Sequence, residues 1–526
     1  MSVSIPAPES LDAPAATTAA PAEPTREVSR ARRAAFLTLL RVELDDAWAS
    51  EALEAALARV APSGSTEQLD ADRRLATEIV LGTLRWRGKL DAEIRKQTGR
   101  EVAGLDPAVK TSLRMGLYQI AFLTRAPAFA VVHDAVELVK QSSATTHAAG
   151  FVNAALREML RQRGLDEGKL APARRILRKP VPPPAPAKRA RRKVSAPPPR
   201  PAAATIVDRA AELSHPAWLL SHWARSLGET RATCIASANN LPAPTFLWLN
   251  PLRHDPQTTR AALEAAGLAL QPVAGLEQAY EVLEGSLSAV SALIASGAVY
   301  VQDAGSQRVA RWLGAEPGQR VLDMCAAPGG KTAQIAAMMR NEGAITALEL
   351  HAQRAAAMQQ NLARLGVRIA KCYVTDATSA TLVSTANHRQ SRKKLPFSLF
   401  PDSFDAVLLD APCSGTGTLR RHPEIKWRLT LRKLAEFAGI QAKLLWNAAR
   451  VVKPGGALLY AVCSLEAREG EEVARAFLRH HRHFEIAPPP DAGDALTCEG
   501  FLRLWPDQDG TDGFFAARLR RRPSPS

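Results

Sequence analysis

Apolar residues recur at helical spacing through the first third of the chain, and then the rhythm changes. Leu75, Ile79, Gly82 and Trp86 share one helix face, as do Val109, Leu113, Leu117 and Ile120, and Val152, Leu156 and Met159 repeat the pattern. Turn formers interrupt the series at Pro62-Ser63-Gly64, Gly104-Leu105-Asp106-Pro107 and Arg125-Ala126-Pro127. Residues 25–165 therefore predict an all-α bundle. A helix opening within 214–220, a strand at 245–250 and a helix at 258–263 predict a small α/β module over 206–295. Beyond Ala298 the patterns alternate, with strands at 320–323, 344–349, 371–375, 404–410 and 457–463 and helices at 332–340, 353–365 and 430–450. Such alternation predicts a Rossmann-like α/β domain over 296–520, with a mostly parallel sheet covered on both faces.

Composition sharpens this picture at a few places. The first 24 residues are rich in Ala and Pro, with neither a basic start nor an apolar run, and read as a disordered tail and not a signal peptide. Residues 166–205 form a basic, proline-rich linker, too poor in apolar surface to order itself. The formal net charge of +16 over 526 residues favours a polyanionic partner. Part of that excess is local, because residues 171–200 hold ten Lys or Arg and no acid. The stretch 378–403, with Arg389, Arg392, Lys393 and Lys394, reads as a loop insertion. Six cysteines without a CxxC pair argue against a disulfide framework and a structural zinc site, and fit a reducing cytoplasm. No run approaches about 18 uninterrupted apolar residues, so no membrane span is expected.

Three motifs carry candidate chemistry. Asp323-Met324-Cys325-Ala326-Ala327-Pro328-Gly329-Gly330-Lys331-Thr332 follows a strand and opens a helix, where small residues let a ligand approach the backbone and free N–H groups face it. A nucleotide triphosphate loop would need Gly at Cys325, so that reading fails. Asp410-Ala411-Pro412-Cys413-Ser414-Gly415 ends one apolar strand, and Tyr460-Ala461-Val462-Cys463-Ser464 ends another. These residues offer two thiols for one nucleophilic role, and the sequence alone does not choose between them. Glu349 and Asp376 end two further strands, where acids can bond ribose hydroxyls or cap the chain. The His480-His481-Arg482-His483 cluster reads as a solvated helix end, without partner acids or cysteines at ligand spacing, so no metal is expected.

Taken together, the motifs resemble the Sun family of RNA cytosine-C5 methyltransferases. The order of helices around Arg73, Arg85-Trp86-Arg87 and Phe151-Val152-Asn153-Ala154 resembles the NusB-type RNA-binding domain, with a solvated face as the other reading of Arg85 and Arg87. Gln302-Asp303-Ala304-Gly305-Ser306-Gln307, Arg420-Arg421-His422-Pro423-Glu424-Ile425-Lys426-Trp427 and Asp512-Gly513-Phe514-Phe515-Ala516 also match the family. The resemblance implies S-adenosylmethionine as cofactor, held by Cys325, Ala326, Ala327, Pro328, Gly329, Gly330, Lys331, Glu349, Arg354, Asp376 and Asp410. It implies Cys463 as nucleophile, Cys413 as the thiol that assists release, and Asp410 and Lys331 as catalytic partners. A basic loop bearing Trp427 suits phosphate contact and base stacking. Val462 and Gly470 depart from the usual Thr and Asn of the family. The helical domain joined to this catalytic domain implies a monomer acting on 16S rRNA, at cytosine 967, before the subunit is fully assembled. Another RNA such as tRNA, or a noncatalytic RNA-binding factor, is the alternative, and the absence of Asn-Pro-Pro-Tyr weakens amino-group methylation.

Overall fold

The computed structural model describes residues 27–60, 65–124, 126–165, 205–383, 399–490, 493 and 495–523. The Ala/Pro-rich tail, the linker up to residue 204, the turn at Pro62-Ser63-Gly64 and the centre of the 378–403 insertion lie outside the described residues.

Six helices build the first region: α1 (Arg30–Leu44), α2 (Ala49–Arg59), α3 (Thr66–Thr98), α4 (Pro107–Phe122), α5 (Ala128–Lys140) and α6 (Ala149–Gln162). The Ser65 hydroxyl caps the start of α3 by accepting from Gln68 N–H, and Gly99 ends it in the left-handed conformation at φ 65°. Asp106 caps α4, and Pro107 fits its first turn, where no intrahelical donor is lost. Gly82 is small for a packing reason: a Cβ there would lie 1.9 Å from Tyr118 Cζ on α4. Leu90, Leu113, Val131 and Leu156 meet in one buried cluster, each such side chain stabilising the bundle by roughly 1.5–3 kcal/mol. The expected all-α region is present.

After the short helix α7 (Ala210–Leu213), α8 (Ala217–Leu227) and α9 (Glu229–Asn239) pack through Leu219, Trp223 and Ile235. The next stretch contains β1 (Thr245–Leu249), α10 (Pro256–Ala265), β2 (Ala269–Pro272), β3 (Ala279–Glu284), α11 (Ser291–Ala295) and β4 (Val299–Val301). Its strands form an antiparallel sheet in the order β2-β3-β1-β4. This corrects one boundary: β4 lies beyond residue 295, in the stretch expected to open the catalytic domain, because Val299–Val301 pairs with β1.

The large sheet follows α12 (Ala304–Trp312). Its first elements are β5 (Arg320–Asp323), α13 (Gly330–Met338), β6 (Ala344–Glu349), α14 (Ala352–Arg364) and β7 (Ala370–Val374). Then come β8 (Phe404–Asp410), α15 (Ile425–Arg428), α16 (Leu431–Val451), β9 (Val452–Val462) and α17 (Glu471–His480). Three strands that periodicity did not reveal close the chain: β10 (Phe484–Ile486), β11 (Leu502–Leu504) and β12 (Phe514–Arg521). The order is β10-β12-β9-β8-β5-β6-β7, with β11 beside β12. Strands β5 to β9 pair in parallel, while β10, β11 and β12 add antiparallel ladders. Leu322, Val407, Leu458 and Phe515 are buried in one cluster of this sheet. Among the described residues, no helix is long and apolar enough to cross a membrane.

Candidate active site

In this strand order the chain runs β5-β6-β7 to one side and then returns to β8 on the other, so β5 and β8 flank the point where the winding reverses. Loops leaving the carboxyl ends of such neighbours diverge and open a crevice. The turn after β5 and the Cys413 loop after β8 leave from those ends.

The turn is tight because its residues are small. Ala326 N–H donates to Leu348 O at 2.9 Å, and Gly329 N–H donates to Ala326 O at 2.7 Å. Gly329 has φ 95°, and a Cβ on Gly330 would lie 2.6 Å from Tyr300 Cε1. Asp323 is buried beneath it, accepting from Thr332 Oγ at 2.8 Å through one carboxylate oxygen. Its other oxygen, Oδ1, has no partner. Burial raises its pKa to about 7, with Asp410 adding to the shift and Thr332 opposing it. Burial likewise pushes the Cys325 thiol up. Glu349, at the end of β6, is 4% exposed and accepts from His351 N–H at 3.0 Å. Arg354 reaches Glu349 at 3.4 Å and Ala327 O at 3.4 Å, tying the turn to the second strand. Asp376 is exposed beyond β7, and its carboxylate accepts from Thr378 N–H and Oγ.

Four candidates converge. Lys331, in the first turn of α13, places Nζ 2.7 Å from Asp410 Oδ2 at the end of β8. Burial alone would depress the ammonium, yet Asp410 outweighs it and holds the Lys331 pKa above its ordinary value. The Phe514 ring lies 5.6 Å from the same nitrogen, which accounts for the second half of the Asp512–Ala516 motif. The Ala411 N–H to Ala461 O bond, 2.9 Å, aligns the loops leaving β8 and β9. Cys413 Sγ and Cys463 Sγ then stand 3.4 Å apart. The bond with Cys463, then burial, push the Cys413 thiol well above the usual range. Either sulfur can be the donor in this contact. A thiol pair beside an ion-paired carboxylate suits nucleophilic addition and elimination.

Residues absent from the sequence-based set hold these loops. Glu469 accepts from Ser414 N–H at 2.8 Å and from Ser464 Oγ at 2.5 Å. Arg421 joins the two end motifs, donating to Asp303 and Asp512 at 2.8 Å each. Burial, then Asp303, raise the Asp512 pKa to about 6. Those matching motifs were the available signal for Arg421; Glu469 had none. The Gly470 departure has a spatial reason, since a Cβ there would lie 2.8 Å from Phe515 Cγ. Val462 is fully buried in the sheet core.

The basic loop after Cys413 corrects an expectation. Lys426 is 1% exposed and donates to Arg85 O at 2.9 Å, while Trp427 Nε1 donates to Leu84 O at 2.8 Å. Arg420 is also buried, bonding Gly510 O at 2.9 Å. Lys426 and Trp427 seat the catalytic domain on α3, while Arg420 ties down the turn at Gly510 within its own domain, and none of the three is presented for phosphate contact or base stacking. Arg85 is neither a solvated residue nor an RNA-facing one: it is buried and donates to Arg420 O at 3.0 Å. Arg87 pairs with Glu43 at 3.3 Å and lies over the Trp427 ring at 5.6 Å. His481 is buried too, stacked on Phe477 with centroids 4.3 Å apart, and so is not part of a solvated helix end.

Comparison with known proteins matches three stretches of the chain. The 16S rRNA methyltransferase RsmB/F family matches residues 310–520, the NusB family residues 29–161, and the RsmF/B-like ferredoxin-like domain residues 215–286. The chain is similar to the probable ribosomal RNA small subunit methyltransferase B of Bacillus subtilis, 31% identical over 496 residues, covering 93% of this chain and 98% of that protein. It is also similar to ribosomal RNA small subunit methyltransferase B of Vibrio cholerae, 31% identical and covering 89% of this chain and 93% of that one. In fold it matches the crystal structure of PH0851 at a TM-score of 0.72, with 24% identity, covering 94% of this chain and 98% of that chain.

Proposed function

The chain belongs to the RsmB/Sun family of S-adenosylmethionine-dependent rRNA methyltransferases, and we propose that it methylates C5 of cytosine 967 in 16S rRNA through a covalent cysteine adduct. The observation that carries this reading is the Cys413–Cys463 pair, 3.4 Å apart beside the Lys331–Asp410 ion pair. Cytosine C5 is too electron-poor to take a methyl group unaided. Addition of the Cys463 thiolate to C6 makes C5 enamine-like. S-adenosylmethionine supplies the electrophilic methyl when bound. Asp410 bonds the edge of the flipped base and Lys331 holds that carboxylate in place. The C5 proton then passes to solvent water, the C5–C6 double bond re-forms and the C6–S bond breaks, so that Cys463 leaves as its thiolate with Cys413 assisting.

One observation supports placing the cofactor at the turn after β5: Asp323 Oδ1, beneath that turn, is a buried acceptor without a partner. Glu349 would hold the ribose hydroxyls, Asp376 the adenine side, and Cys325 to Lys331 with Arg354 the remainder. The protein acts as a cytoplasmic monomer, on RNA not yet folded into a complete small subunit and without a metal. Labelled S-adenosylmethionine offered with bare 16S rRNA, intact small subunits and tRNA, followed by bisulfite mapping, checks this. Label confined to cytosine 967 of 16S rRNA is the expected result; label on tRNA, or on an amino group, contradicts it.

A further inference from the structure

The two cysteines lie on different strands' ends, fifty residues apart, yet each is followed by a serine that bonds the same buried carboxylate. Glu469 is fully buried. One oxygen accepts from Ser414 N–H at 2.8 Å and from Gln441 Nε2 at 3.3 Å. The other accepts from the hydroxyls of Ser414 and of Ser464, the latter at 2.5 Å. Gln441 also donates to Pro412 O at 3.0 Å, just before Cys413. Behind the carboxylate, the Tyr460 hydroxyl donates to the Glu469 carbonyl, fixing the loop that follows Cys463 to its own strand. Thr416 Oγ accepts from Leu465 N–H at 2.9 Å, a second cross-link between the two loops.

From this geometry we infer that Glu469 is a positioning residue that sets the separation of the two thiols and so governs release of the methylated base. It touches neither thiol and is not a catalytic residue. Four donors converge on one carboxylate, which satisfies its acceptor sites and makes the register of the two loops a single hydrogen-bonded unit. Shortening or removing the side chain takes away the acceptor that Ser414 and Ser464 share, leaving their direct 3.2 Å hydroxyl contact and the Thr416 bonds, so the two loops lose part of their common register. A displacement of Cys413 relative to Cys463 affects the step that needs both sulfurs, release, more than the step that needs one. The inference rests on the two-thiol reading above.

Two measurements on the full chain separate the clamp from that reading. The first needs no RNA: diamide takes two electrons and two protons from the thiol pair, forming a Cys413–Cys463 disulfide whose rate reports their proximity. Glu469→Ala should slow this on the order of tenfold or more, as expected when reacting groups are misplaced. Glu469→Gln, which keeps the length and one acceptor, should stay near wild type. The second is single-turnover methylation, where Glu469→Ala should form adduct but release it slowly, and Glu469→Gln should restore release. Where Glu469→Ala does not fold, Ser464→Ala removes one arm of the clamp and takes its place. Unchanged disulfide and release rates in the folded variant overturn the inference. A Cys413→Ala control that releases product at the wild-type rate overturns the two-thiol reading instead, while the disulfide rate still decides the clamp.

Discussion

A half-buried lysine and a fully buried one show how differently the cleft and the domain junction use the same residue. Lys331 faces Asp410 at 2.7 Å, and its pKa stays above the ordinary value despite burial. Lys426 faces a carbonyl, Arg85 O at 2.9 Å, and the Asn240 side chain at 3.4 Å. Burial, with Arg85 nearby, holds its pKa well below the ordinary value. In the cleft a carboxylate keeps the charge and orients it; at the junction the side chain acts as a neutral-prone donor that fills space between domains. Basic residues in a motif therefore announce their neighbours' needs, and only geometry says whether those neighbours are RNA or protein.

The largest expected effect lies in the cleft. Lys331→Met leaves Asp410 without its cation at the reacting base, so methyl transfer should fall on the order of 10²-fold or more, read from single-turnover rates. A loss under about tenfold would place Lys331 with Lys426 as a structural residue. Next, Glu349→Ala should weaken S-adenosylmethionine binding by roughly 1.5–3 kcal/mol, the range for charged hydrogen bonds, in calorimetry. Unchanged affinity in a folded variant removes Glu349 from the cofactor site.

The smallest effect is expected at the junction. Folding lowers the Lys426 pKa, so this group opposes folding at neutral pH, and the opposition fades as pH rises toward the ordinary lysine value. Arg85 O keeps a bond from Ser214 Oγ at 2.9 Å when the lysine is gone. Lys426→Met should therefore retain activity, with Tm at pH 7 unchanged or raised by about 2–4 °C. The gap from wild type should narrow toward pH 9. A fall in Tm at pH 7, or a gap that widens with pH, would mean that the buried ammonium is paired after all.

The parallel strands were readable because each is a short apolar run closed by a motif residue, as Phe404–Asp410 is by Asp410. The antiparallel additions were not: the three-residue β10 and β11 carry no period to detect, and the eight-residue β12 is buried along most of its length without alternating. The motif cysteines and the Lys331 turn could be found by residue type and order. Their 3.4 Å approach could not, because it depends on Glu469, Ser414 and Ser464, ordinary residues made important by a shared buried bond network. The loop 420–427 was misread for a related reason. Arg, Lys and Trp suit RNA and domain packing alike, and the partner surface on α3 lies more than 300 residues away in sequence.

The central claim is that one thiol attacks the base and the other releases it. Incubating Cys463→Ala and Cys413→Ala with 16S rRNA and labelled S-adenosylmethionine, then resolving them on a denaturing gel, addresses it most directly. Cys463→Ala should transfer no methyl and form no covalent complex. Cys413→Ala should methylate once and remain attached to the RNA as a labelled adduct. The reverse pattern exchanges the roles, and full turnover by both variants contradicts the covalent mechanism.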